Sequence, residues 1–350
     1  MNKLAPLALA LSFIGLSPTL AFDELKSVIS TVHLNTGNEV IFNYIAPRDG
    51  FSPKTAWTGN STSRGMTVML KAGRRDSMTG VDFSGVHALF SAGMPPQTTD
   101  ILFGTPGFAQ HTPEALRKRK FETRDINGIT VYGLGKDLEL NRMRALEQDP
   151  FNAGMGVSER IAILADRLIL STSWDRTEEA LAGTTAPDSQ LLAATLAALE
   201  NAAGADASLT AAAAWEASIF LRNGANIDYL LETGTVADHL GDPTTMPLAY
   251  PFALFAVTEA TDSAALHIAL PFGDLSTAQS SAQLIAERIA QLPEPLALSS
   301  SPAQVHAEVA DGFAVGVVSV VVPRMDAEEN FARWQAAVIR KQFSPLYVTP

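Results

Sequence analysis

Residues 101–132 read ILFGTPGFAQHTPEALRKRKFETRDINGITVY, and residues 160–173 read RIAILADRLILSTS. These two pieces, inside a longer stretch from Asp82 to Ser173, decide the fold class. Ile101-Leu102-Phe103 is a short apolar run between Pro95-Pro96 and Gly104, the mark of a buried strand. Thr112 then offers a hydroxyl to an orphan backbone N–H, and Pro113 sits where a missing N–H costs nothing. A helix is therefore predicted to about Lys120. Asn127-Gly128 follows, flanked by Arg124-Asp125-Ile126 and Ile129-Thr130-Val131-Tyr132. Both turn residues tolerate positive φ, which predicts a type I′ hairpin. A second hairpin turns near Asp166. Its arms, Ile161 to Leu164 and Leu168 to Leu170, are apolar at successive positions, so both faces of these strands are predicted to be covered.

Outward from this stretch, a similar order recurs after Tyr250. Phe252 to Thr258 and Ala264 to Phe272 form a hairpin turning at Asp262-Ser263. Ser276 to Leu292 has helical period and is stopped by Pro293 and Pro295. Val305 to Val309 alternates, Phe313 to Val322 is an unbroken apolar strand, and Asp326 to about Gln342 closes as an amphipathic helix. Between the two regions, Ser189 to Ala203 is a helix with Leu191, Leu192, Leu196 and Leu199 on one face, whereas Ala211 to Leu221 suits helix or strand. Pro47 to Arg64, with Trp57, and Asn223 to Pro247 read as loops. The expected class is α+β: two related strand-helix-strand-strand-helix halves, with largely antiparallel sheets and helices packed on one face. The expected division is 1–21 as a signal peptide, 22–225 as a first half with an N-terminal extension, and 226–350 as a second half.

Three short pieces, Ser91 to Pro96, Phe121 to Tyr132 and Ala165 to Leu170, resemble a group of exported bacterial proteins of unknown function. The resemblance covers about the first half and its motifs are structural. It implies a duplicated α+β exported protein and carries over no functional residue.

The 350 residues are 47% apolar and 18% charged, an ordinary globular balance that supports a sizeable core. A net charge of −12 argues against nucleic acid, whose phosphates would be repelled, and against adsorption to anionic lipid. Lys3, the apolar run Leu4 to Leu16 and the small-residue end at Ala21 read as a secretory signal too short for a membrane span. With no cysteine in the chain, disulfides and thiolate chemistry are excluded. The combination points to a bacterial periplasmic protein.

The sequence holds no phosphate-binding loop ending in Lys-Ser/Thr, no Gly-x-Ser-x-Gly elbow and no His-Glu-x-x-His helix. Gly133-Leu134-Gly135 resembles the start of a dinucleotide fingerprint without opening a helix. No two of the 6 histidines have metal-ligand spacing, so neither a metal nor another cofactor is expected. Strand alternation puts His267 opposite the face shared by Leu266, Ile268 and Leu270, and puts His306 and Glu308 opposite Val305, Ala307 and Val309. If their strands are neighbours, two imidazoles and a carboxylate meet on one sheet face as a ligand site. Otherwise they are separate solvated side chains. A second candidate is the cationic run Arg117, Lys118, Arg119 and Lys120, which suits an acidic ligand or, more simply, the negative end of its helix dipole. Trp174 and Trp215 are expected as anchors. The reading that follows is a non-enzymatic periplasmic binding or accessory protein for an envelope partner or small ligand, with no transmembrane segment in the mature chain. The alternative is an envelope hydrolase or other enzyme whose site is assembled from distant residues.

Overall fold

The computed structural model describes residues 18–31, 40–47, 76–94, 97–146, 151–152, 156–182, 187–221, 248–298, 302–340 and 342–348. The loops read at Pro47 to Arg64 and Asn223 to Pro247, and the first 17 residues of the signal stretch, lie almost wholly outside them.

Among the described residues, strands that are mostly apolar build one 12-stranded sheet. In chain order they are β1 (Val40–Ile45), β2 (Val86–Met94), β3 (Gln97–Gly104), β4 (Glu122–Ile126), β5 (Ile129–Gly133) and β6 (Arg160–Ile163). They continue with β7 (Arg167–Ser171), β8 (Ser208–Glu216), β9 (Phe252–Glu259), β10 (Ala264–Phe272), β11 (Gln304–Ala310) and β12 (Phe313–Val322). In space the order is β11-β12-β10-β9-β8-β1-β2-β3-β7-β6-β5-β4. The pairs are antiparallel throughout. The α+β class and the antiparallel pairing are those the sequence pattern implies.

Local turn chemistry fixes the hairpins. Asn127 and Gly128 have φ of 54° and 80°, as a type I′ turn requires, and Asp125 accepts from the Gly128 N–H at 3.0 Å. Asp311 and Gly312, at 47° and 88°, do the same between β11 and β12. The Ala260 N–H donates to the Ser263 carbonyl at 2.9 Å and closes β9 onto β10.

Among the described residues the helices of seven residues or more are α1 (Pro18–Thr31), α2 (Thr112–Lys118), α3 (Trp174–Ala182), α4 (Pro187–Ala203), α5 (Leu275–Ile289) and α6 (Ala327–Ile339). Running outward from the central β1:β8 pair, β1-β2-β3-β7-β6 on one side matches β8-β9-β10-β12-β11 on the other. A helix precedes β1 as one precedes β8, and the β4–β5 hairpin is extra on the first side.

The helices divide between the two faces instead of sharing one. Side chains of α5 and α6 join Leu266, Ile268, Val318 and Val320 in one core cluster. Those of α1, α3 and α4 join Phe42, Phe90, Ala269, Val315 and Val317 in the other. Strands apolar at every position need a cover on each side, and burying each large aliphatic side chain contributes about 1.5–3 kcal/mol. Gly316 shows how closely α5 is seated: a Cβ there would stand 2.6 Å from the Ala278 carbonyl oxygen. The two sheet edges carry polar residues, with Glu122 to Asp125 exposed on β4 and Gln304 and His306 exposed on β11. Such edges resist pairing with another chain.

The start of α2 differs from the expectation. His111 is its N-cap and makes no side-chain cap bond, while Thr112 is the first helical residue and is buried. At its other end Lys120 takes the left-handed position, with φ of 62°, and the Phe121 N–H reaches back to the Leu116 carbonyl at 3.1 Å. This is a glycine-type helix stop built on a lysine.

Candidate functional site

The register places His267 of β10 opposite Ala256 of β9 and Ser319 of β12. Its ring is buried, with Nε2 at 2.8 Å from the Thr258 hydroxyl and Nδ1 at 2.8 Å from the Ser319 hydroxyl. A neutral imidazole has one donor and one acceptor nitrogen, and two hydroxyls satisfy both. Burial pushes its pKa down to about 4, so the ring is neutral at physiological pH.

That shift has a stability consequence of definite sign. The unfolded imidazole takes up a proton near its ordinary pKa of 6.5, whereas the folded one resists until about 4. Between these limits the unfolded state binds more protons, so stability falls as pH falls from 6.5 towards 4, by roughly 3 kcal/mol. Urea unfolding of the wild type and of His267→Gln at pH 7 and pH 4.5 checks this. The wild type should lose more stability than the variant on acidification, and parallel losses would show that His267 is not the titrating group.

His306 and Glu308 lie on the same face of the sheet as His267, but β12 separates their strand from β10. Two strand spacings put about 10 Å between the two histidine positions, without counting their offset along the strands. His306 Nε2 is 3.0 Å from Glu308 Oε2, and the other carboxylate oxygen accepts from Asn201 Nδ2 of α4 at 2.8 Å. The fold thus brings His306 together with Glu308 and ties the pair to a helix, while His267 is enclosed two strands away.

The cationic run separates by burial. Lys118 is exposed and pairs with Glu114 one turn earlier at 2.7 Å, holding that carboxyl below its ordinary pKa. Arg119 turns inward, 5.0 Å from the Phe121 ring centroid, and donates to the Met78 carbonyl at 3.2 Å. Arg117 and Lys120 are exposed.

One cluster has no local signal in the sequence. Glu24 of α1 accepts from the Tyr44 hydroxyl of β1 at 2.8 Å, and its other oxygen lies 2.9 Å from His87 Nε2 of β2. Burial first, and then the Glu24 carboxylate, hold the Tyr44 phenol well above its ordinary pKa. With the Lys26–Glu200 ion pair between α1 and α4, this cluster locks α1 onto the sheet.

A cleft of about 300 Å³ opens where α5 ends, lined by residues including Ile289, Leu292, Ala297, Leu298, Pro302 and Val320. Every lining residue is apolar. Among the described residues no group of three His, Asp or Glu side chains is placed to hold a metal ion, and no helix is long and apolar enough to cross a membrane.

No family model matches the chain, and no curated protein does. Among solved structures the chain is similar to crystal form I of TP0453, at 10% identity and a TM-score of 0.39, over 89% of this chain and 98% of that one. Form III of TP0453 gives 9% and 0.37 over 88% and 97%, and form IV gives 8% and 0.36 over 91% and 99%. At these scores the likeness carries no argument about function.

Proposed function

We propose that the chain is an exported periplasmic protein that binds a partner or small ligand through an apolar contact and catalyses no reaction. The observation that carries this reading is the cleft at the end of α5, about 300 Å³ and lined by apolar residues alone. Pockets of this size and character suit an apolar group, while an active site needs polar groups converging on the ligand. The ionisable side chains described above serve one another instead. His267 is enclosed by two hydroxyls, and the Glu24 carboxylate is shared between Tyr44 and His87. Export rests on the Lys3, Leu4 to Leu16, Ala21 pattern.

The test is methyl NMR of the mature protein titrated with n-hexanol as a neutral apolar probe. Shifts should concentrate on Ile289, Leu292 and Val320, and Ala303→Phe, which enlarges a side chain lining the cleft, should abolish them. If these methyls do not move, or move equally in the variant, the cleft is not a binding site.

A further inference from the structure

Trp174, at the start of α3, has two arginines against its ring, and a third lies within electrostatic reach of one of them. The Arg160 guanidinium is fully buried, 5.0 Å from the Trp174 ring centroid. It donates to Asp137 Oδ1 at 2.9 Å and to the carbonyls of Leu134, Gly135 and Ser158 at 3.4, 3.0 and 3.2 Å. These bonds fasten the segment after β5 to β6 and account for Arg160 completely. They do not account for the other two.

Arg124 of the edge strand β4 lies 4.1 Å from the same ring centroid and makes no ion pair among the described residues. Arg144 comes from the opposite end of the segment, on the short helix Arg142–Leu146. Its Nη2 stands 3.3 Å from where a Cβ on Gly135 would be, a point that Glu139 Oε2 approaches to 2.7 Å, and its Nη1 is buried without a hydrogen-bond partner. Two features hold this arrangement open. Gly133 lacks the Cβ that would meet the Trp174 ring at 2.6 Å, and Asn141 caps the short helix by accepting from the Arg144 N–H at 3.1 Å.

The nearby carboxylates are already engaged. Asp137 is taken by Arg160 and by the Trp174 N–H at 3.1 Å, and Glu139 accepts from the Lys136 N–H at 3.3 Å. Arg124 and Arg144 thus each lie within electrostatic reach of the buried Arg160 guanidinium, in a chain whose net charge is −12. A buried guanidinium nitrogen with no acceptor is costly, and like charges held together repel, so an anion placed there relieves both. Planar, forked donors match phosphate and carboxylate oxygens.

We propose that Arg124, stacked on Trp174, and Arg144, beside Gly135, form a binding site for a small molecule carrying a phosphate or carboxylate group. The site is separate from the apolar cleft, and the two proposals stand or fall independently.

The experiment is calorimetric titration of the mature protein with sodium phosphate and, separately, with sodium succinate, at constant ionic strength against a chloride reference. At least one anion should bind, more weakly as salt is raised. Arg124→Gln and Arg144→Gln should each weaken it about tenfold or more, since each removes a charge-assisted hydrogen bond, and Lys118→Gln should leave it unchanged. Whether phosphate or succinate binds assigns the headgroup. If neither anion binds, or if binding survives both arginine substitutions, the proposal is wrong. Arg124 is exposed on an edge strand, so its variant folds and carries the test even if Arg144→Gln is unstable.

Discussion

Val318→Asp is expected to abolish stable folding, with a loss of about 4 kcal/mol or more. Val318 is 1% exposed in β12, paired with Ile268 on one side and Val305 on the other. Its face of the sheet is the one sealed by α5 and α6. The substitution removes roughly 2 kcal/mol of apolar burial and places a carboxylate where water cannot reach it. Protonation reduces the penalty without supplying a hydrogen-bond partner. Thermal unfolding followed by circular dichroism measures the effect. An unchanged transition would mean that β12 does not occupy the core.

Arg160→Met is expected to cost about 3 kcal/mol and to act locally first. Methionine keeps much of the apolar volume beside Trp174 but offers nothing to Asp137 or to the carbonyls of Leu134, Gly135 and Ser158. The full sum of lost bonds will not appear, because Asp137 is 34% exposed and the segment can open and regain water. The signature is therefore early opening of residues 134–140 ahead of global unfolding. Hydrogen exchange resolves it: protection across that segment should fall in the variant while β10 and β12 stay protected. Equal protection in wild type and variant would remove Arg160 from its role as fastener.

What was legible in the sequence was what is local. The Asn127-Gly128 turn, the Asp166 turn and the unbroken run from Phe313 to Val322 each carry their own chemistry within a dozen residues, and each has the structure that chemistry dictates. Leu192, Leu196 and Leu199 are fully buried, as the helical period implied, while Leu191 is only partly so. Ala211 to Leu221 was ambiguous because alanine fits either structure. β8 takes most of it, where small side chains pack between helices and neighbouring strands. Pairings across long separations left no mark: nothing in the letters of β3 says that β7 lies beside it, or that β12 intervenes between His267 and His306. The same limit hid Glu24, Tyr44 and His87, and the arginines around Trp174, whose members come from separate elements. Gly133-Leu134-Gly135 was conspicuous for the wrong reason. Gly133 leaves room for an indole, and Gly135 supplies a carbonyl to Arg160.

The pairing of β1 with β8 at the centre of the sheet has a kinetic corollary. It joins Asn43 to Ala213, so a chain emerging from its N-terminus completes β1 long before its partner exists. Until then this strand is an open edge, with the backbone groups that will pair with β8 left unpaired. Closing so large a loop is slow, and unpaired apolar edges are where nascent chains associate wrongly. A chain cut short of residue 216 is therefore expected to associate through the open edge of β1 more readily than the full chain does.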